Sequence, residues 1–340
     1  MEKRDKGGVS SMSKHWLQVP EWSWNHPEEN QPTYVHHWVQ QLNNIKHTPD
    51  MILYGAPISR SSISVSGASL YPTEFRRNWK GFATYNLDEN VDLVHYRVAD
   101  AGDVAMHTTD ILLSHQRIQD TTTYLAKHYP STTTCMIGGD HSTTACAVRG
   151  IKEAFFNETI GILQLDTHLD VRDPKELGPA NGTPIRQLID GNIVKGENVV
   201  NIGLHGYYNA RPLIDYANEH NIQMVTLKQA RKQGLIKTIQ GALEQLATKV
   251  DRIYVTVDMD VLDISVAPGV PASTPGGMTT IELFDSLLEI GKHPNVQHID
   301  FVCLDPSKDS AVAQTVKTGV YAWLQFVTGC ILQTRQFKRV

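Results

Sequence analysis

Asp166, His168 and Asp170 follow one another at two-residue spacing directly after the apolar run Ile160–Leu165, in the stretch IGILQLDTHLDVR. Residues at i, i+2 and i+4 of an extended chain face the same way, so two carboxylates and an imidazole are expected to converge beyond a buried strand. Two more stretches repeat that design. CMIGG (135–139) runs into Asp140 and His141, and RIYVTVD (252–258) ends in Asp258 with Asp260 two residues on. Taken singly, each is no more than a polar loop after a strand. Together they offer five carboxylates and two imidazoles with hardly a Lys or Arg among them. Acids brought together in that way repel one another and raise each other's pKa unless a cation neutralises them. Oxygen and imidazole donors without thiolate suit Mn²⁺, Ni²⁺, Fe²⁺ or Co²⁺ better than a structural zinc. Bridging carboxylates would hold two ions about 3.5–4 Å apart, close enough for both to polarise one water, which makes hydrolysis the expected chemistry.

The elements that position these residues recur along most of the chain. From MILYGA (51–56) onward, short β-branched or apolar runs alternate with helical patterns: 93–100, 135–139, 160–166, 198–203, 223–227, 252–258 and 298–305 against, for example, 111–129, 236–250 and 280–293. That alternation predicts a three-layer α/β/α domain with a mainly parallel sheet of about eight strands. In such a sheet ligands bind beyond the carboxyl ends of the strands, where the acidic stretches lie. Residues 1–50, rich in Trp, Pro, His, Asn and Gln, show no clear strand and read as an N-terminal arm that either covers a cleft or packs on a neighbouring subunit, or else drapes over the surface; 51–340 read as a single domain.

The totals exclude several classes. A net charge of −5, from 31 basic and 36 acidic residues without a long basic run, argues against nucleic acid as a partner. No apolar stretch reaches the roughly 18 residues that span a bilayer, and the first residues lack the apolar core of a signal peptide, so a cytoplasmic protein is expected. Cys135, Cys146, Cys303 and Cys330 contain no C-x-x-C pair, which argues against a zinc knuckle or a disulfide framework.

GGDHS, DTHLDVR and VTVDMDVLDISVAPGVPASTPGGM, together with GAPISRSSISVSGASLYPTEFR (55–76) and ADAGDV (99–104), resemble the signature stretches of the ureohydrolase family, which includes arginases, agmatinases and formimidoylglutamases. The likeness covers nearly all of 50–330 in order and spacing, and it implies an arginase-like fold around an eight-stranded, mainly parallel sheet. It also implies two divalent ions per subunit, Mn²⁺ or Ni²⁺. His141, Asp166, Asp170 and Asp258 would hold one ion and His168 with Asp260 the other, Asp170 and Asp258 bridging. The catalytic residues would be Asp260, as the relay of a proton to the departing amine, with Asp170 and His168. Asp140 would support a ligand or cap a turn; Arg172 would orient the carboxylates or close a surface salt bridge. The family's oligomers suggest a homotrimer or homohexamer, or a hetero-oligomer with a related subunit. A non-catalytic subunit would need only the fold, but all six ligand positions are present here.

Three departures bear on the substrate. Asn181 stands where arginases and agmatinases carry a His; formimidoylglutamases resemble this chain's NGTP there, as they do its SSISxSGAS, so the formimidoylglutamase-like branch is nearest. Cys303 stands in FVCLDP where the family has a Glu that pairs with the substrate's terminal amino groups, a bond a thiol cannot reproduce. His205 stands where agmatinases and formimidoylglutamases carry an Arg. Arg60 could bind a carboxylate or sit in solvent. With Asn181, Cys303, His205 and Arg60 as substrate contacts, the expected substrate is an N-alkylated guanidine or a biguanide such as metformin, cleaved to dimethylamine and guanylurea. Formimidoylglutamase, agmatinase or guanidine hydrolase activity is the alternative.

Overall fold

The computed structural model describes residues 15–24 and 32–337. Among the described residues the central sheet has ten strands, and eight of them form its parallel body: β1 Met51–Gly55, β2 Val98–Val104, β3 Thr133–Ile137, β4 Ile160–Leu165, β5 Val199–Leu204, β6 Gln223–Thr226, β7 Arg252–Asp258 and β8 Val296–Val302. They run parallel in the order β2-β1-β3-β8-β7-β4-β5-β6. Buried nearly throughout, the strands read as continuous apolar runs, and alternate residues feed two separate cores. Ile52, Tyr54, Met136, Ile162 and Tyr254 join helices 111–128, 142–154 and 184–190 on one face. Met51, Leu53, Leu163, Val255 and Val257 join helices 235–247, 280–291 and 314–337 on the other. The expected three-layer architecture is thereby met.

The residues before Met51 do more than drape the surface. Leu17–Gln18 pairs antiparallel with β2 and Gln40–Gln41 pairs parallel with it, which closes that edge of the sheet. Two-residue strands are too short to show a period, which is why the sequence hides them. Val35 and Trp38 are buried in the larger core, where Trp38 stacks 5.9 Å from Trp323. Of the N-terminal arm, residues 1–14 and 25–31 lie outside the described residues. No described helix is long and apolar enough to cross a membrane.

Two buried histidines contribute to how the fold answers to acid. Burial pushes His298, on β8 beside Thr134 Oγ1 (2.8 Å), down to about 3, and His115 down to about 4. Their folded pKa values lie below the unfolded value of 6.5. The unfolded chain therefore takes up protons first, and the contribution of these two residues is fully present above about pH 6.5 and is lost as the pH falls. Each histidine is expected to contribute a slope of about 1.4 kcal/mol per pH unit between roughly pH 6 and 4. Urea unfolding across that range should show H298Q with a shallower slope than the parent; equal slopes would contradict the assignment.

Candidate active site

The register of four adjacent strands brings the acidic stretches to one place. Val257 pairs with Leu165 and Asp258 with Val302, while Ile137 pairs with Phe301, so β3, β8, β7 and β4 all end at one level. Beyond β3, Gly139 must be glycine, because a Cβ there would lie 1.7 Å from the Ile58 carbonyl oxygen. That close approach lets Asp140 accept from Ser61 N–H and Ser142 N–H (both 3.1 Å). Asp140 therefore ties the start of the helix that follows to loop 56–67.

After β4 the chain leaves the extended conformation, and Asp170 adopts a left-handed backbone (φ 52°), as does Cys303 after β8 (φ 60°). Left-handed non-glycine residues cost of order 1–3 kcal/mol and gather at functional sites. In consequence the trio after β4 does not converge on one point, as strict alternation would have it. His141, Asp166, Asp170 and Asp258 form one group able to hold a metal ion, and Asp166, His168 and Asp260 a second. The carboxylate common to both is Asp166; Asp170 and Asp258, the bridges expected from the family likeness, belong to the first group alone. Asp166 Oδ2 lies 3.3 Å from His141 Nδ1 and its Oδ1 3.6 Å from His168 Nδ1, so its two oxygens address different imidazoles.

Proton bookkeeping tests whether these donors fit metal. Asp300 Oδ2 accepts the hydroxyls of Thr144 (2.7 Å) and Tyr254 (2.8 Å), which uses the only proton each has. Thr256 Oγ1, 3.3 Å from Thr144 Oγ1, must then direct its own proton toward that cluster and accept from His141 Nε2 (2.9 Å). The other nitrogen, His141 Nδ1, is left with a bare lone pair and no hydrogen bond. Carboxylate oxygens of Asp170, Asp258 and Asp166 nonetheless face it at 2.7, 3.1 and 3.3 Å. Four electron-rich atoms pointing inward in a fully buried site need a cation between them. Without a cation, only protons can relieve that crowding. Burial opposes charge on His141, yet the carboxylates raise its pKa well above the imidazole range. Burial and Asp166 push Asp170 up to about 6, and burial with Asp258 pushes Asp260 well above the usual carboxylate range. The residues fit two divalent ions.

Beside the cluster lies a cavity of about 170 Å³, lined by His168, Asp170, Asp258 and Asp260 and by Asn181, Arg172, Cys303, Tyr208, Leu213, Pro271, Ala272 and Ile63. That volume lies below the roughly 300–1,000 Å³ of drug-sized ligand pockets and admits only a compact ligand. Asn181 Oδ1 accepts from Ile63 N–H (2.9 Å), which leaves the amide donors to offer a ligand. Cys303 is buried, and burial together with Asp258 and Asp260 raises its thiol pKa well above the usual value, so it presents a neutral S–H. Two of the expected substrate contacts are not part of this lining. Arg60 donates to the carbonyls of His107 and Thr108, and His205 turns toward Gly203 O and Thr274 Oγ1. Loop direction, which spacing does not encode, decided both.

Residues 49–328 match the family model described as the arginase family. The chain belongs to that family. Its resemblance in sequence and its fold agree: a formimidoylglutamase from Halalkalibacterium halodurans is 39% identical over 280 residues, 82% of this chain and 87% of its own length. The crystal structure of formimidoylglutamase from Bacillus subtilis superposes with a TM-score of 0.84 at 33% identity, covering 93% of this chain and 96% of that one. A Trypanosoma cruzi formiminoglutamase structure with Mn²⁺ has a TM-score of 0.75 at 25% identity, covering 84% and 94% respectively. As a member of the arginase family, the chain is a hydrolase of C–N bonds in linear amidines.

Several residues that hold the arginase-family site together carry no signal in the sequence. Gln164 Nε2 donates to Asp166 Oδ2 (2.7 Å), and Asn201 Nδ2 to the His168 carbonyl (2.7 Å). Asn209 accepts from Leu169 N–H and donates to Thr167 O (both 2.9 Å). They pin a loop that has no secondary structure of its own. An isolated Asn or Gln at a strand end is too common to single out.

Proposed function

We propose that the chain hydrolyses an N-substituted linear amidine of the formiminoglutamate type, releasing formamide and glutamate. The observation that carries this reading is the two-group cluster opening onto a small cavity whose wall includes one guanidinium, Arg172. The formimidoylglutamase relatives support it, and they reverse the order expected from the sequence, where a metformin-type substrate came first. A dicarboxylic substrate needs a cation at the cavity, and Arg172 supplies one by the charged, forked hydrogen bonding that carboxylates favour.

His141, Asp166, Asp170 and Asp258, with His168 and Asp260, are the proposed holders of two divalent ions, manganese in the first instance, as in the Trypanosoma cruzi structure. When bound, the ions supply Lewis-acid activation of water and of the amidine. The chain's own residues do the rest. Asp260 Oδ2 lies 2.8 Å from His168 Nδ1, a contact through which a proton can be relayed to the leaving amine. Asn181 orients the substrate through its amide donors, and the neutral thiol of Cys303 fills the cavity wall without adding charge.

Cys303 also favours a second reading, an N-alkylated guanidine or biguanide. A neutral thiol leaves the amino groups of an unsubstituted guanidinium unpaired at about 1–3 kcal/mol, whereas an alkylated nitrogen has fewer donors to satisfy. Ile63, Leu213, Pro271 and Ala272 add apolar surface for alkyl groups. Assay of the manganese- and nickel-loaded protein on formiminoglutamate, agmatine, guanidine, dimethylguanidine and metformin separates the two. Formamide release from formiminoglutamate is expected, with R172M raising its KM about tenfold to a hundredfold through a lost charged hydrogen bond. Dimethylamine from metformin with no turnover of formiminoglutamate would overturn the first reading in favour of the second.

A further inference from the structure

We propose that His205 is a positioning residue: through Thr274 it latches the loop 263–278, whose Pro271 and Ala272 form one wall of the cavity, and so governs substrate binding without touching substrate. Its kinetic arm alone rests on the amidine hydrolysis proposed above.

Bookkeeping of protons fixes the latch. His205 Nδ1 lies 2.9 Å from the carbonyl oxygen of Gly203, which can only accept, so Nδ1 carries the hydrogen. In the neutral ring Nε2 is then the acceptor, and Thr274 Oγ1, 3.2 Å away, donates to it. The tie joins the end of β5 to a loop that begins just after Asp260.

That loop needs the tie on this flank. Its stem is closed by backbone bonds, Asp263 N–H to Met278 O (2.9 Å), Met278 N–H to Val261 O (2.7 Å) and Ile264 N–H to Thr274 O (3.0 Å). Its opposite flank is held by Asp305 N–H to Gly269 O (2.7 Å) and Gly269 N–H to Thr315 Oγ1 (2.9 Å). Between them, Pro268 and Pro271 have no N–H to donate, and the bonds of the tip are local to it, such as Ser273 N–H to Val270 O (3.4 Å). Thr274, itself buried, is where this stretch meets β5, and His205 is its side-chain partner there.

The same imidazole supports a second wall. Gly206 adopts φ 58°, and this left-handed turn folds Tyr208 back over the site. The Tyr208 ring stands edge-on to His205, centroids 5.4 Å apart, and edge-on to His168 at 6.1 Å. Tyr208 lines the cavity and His205 stands behind it. One side chain outside the cavity thus holds two of its walls in register with a proposed metal ligand, a placement that suits a determinant of substrate fit.

Hydrogen–deuterium exchange and steady-state kinetics on H205A, T274V and the double variant test this. H205A and T274V are each expected to speed amide exchange across 264–276 at least fivefold. Each should raise KM for the hydrolysed amidine about fivefold to tenfold with kcat within twofold, and the double variant should be no worse than the worse single. Unchanged exchange in either single variant, or additive effects in the double, would overturn the latch. Should no amidine be turned over, the amidine reading fails, while the exchange cycle still decides the latch.

Discussion

Asp166→Asn is expected to lower kcat by three orders of magnitude or more on whichever amidine the enzyme hydrolyses. Asp166 is fully buried and is the carboxylate shared by the two ligand groups, so its charge faces both proposed ion positions. The substitution keeps the shape and removes the charge, and it also disturbs the hydrogen bonding that aims the group. Asp166 Oδ1 accepts from His168 N–H (2.6 Å) and Oδ2 from Gln164 Nε2 (2.7 Å). An asparagine has one acceptor oxygen, so its amide nitrogen must oppose one of those donors. Loss of a ligand that polarises the reaction costs several kcal/mol, and each 1.36 kcal/mol is about tenfold in rate. Single-turnover kinetics at saturating Mn²⁺ provide the check. A loss smaller than tenfold would place the shared role on another residue, and Asp258, which alone of the first group accepts from Asp260 N–H (2.9 Å), would be next in line.

Arg76→Met should be the costliest change to the fold outside the site, at about 3–5 kcal/mol, because it strands two buried charges. Arg76 is almost inaccessible and donates to Asp100 through Nε (2.7 Å) and Nη2 (2.9 Å), to Asp103 through Nη1 (2.7 Å) and to the carbonyls of Pro72 and Gly102. Burial already holds Asp103 above the usual carboxylate range even with Arg76 beside it. Space for that carboxylate exists because β1 ends in Gly55, where a Cβ would lie 1.9 Å from Asp103 Oδ1. R76K is expected to recover little, since an ammonium cannot fork across two carboxylates. Urea denaturation measures the difference. A change below about 1 kcal/mol, the range of exposed pairs, would show that the charges are not desolvated as the burial indicates.

The layers of the fold could be read from the sequence because buried parallel strands leave apolar runs that end abruptly in acids. Ile160–Leu165 before Asp166 and Arg252–Val257 before Asp258 are of this kind. The candidate ligands could be read for the same reason, as polar residues at strand ends, and the family likeness narrowed them to six. Their allocation could not. Spacing treats Asp166, His168 and Asp170 as equivalent, whereas the left-handed turn at Asp170 sends it and His168 to different groups and leaves Asp166 in common. Arg60 and His205 were misplaced as cavity contacts because their partners, the carbonyls of His107 and Thr108 and the hydroxyl of Thr274, lie on segments 47 to 69 residues away. Trp38 and the two-residue strands before Met51 escaped notice because what fixes them is packing against Trp323 and the edge of β2, which no local pattern reports.

Asp166 is proposed as the ligand shared by a two-ion centre. Anomalous diffraction from crystals of the Mn²⁺-loaded protein checks this. Two peaks are predicted, one enclosed by His141 Nδ1 with Asp166, Asp170 and Asp258, the other by Asp166, His168 Nδ1 and Asp260. A single peak, or two peaks with no Asp166 oxygen between them, would rule out a shared Asp166.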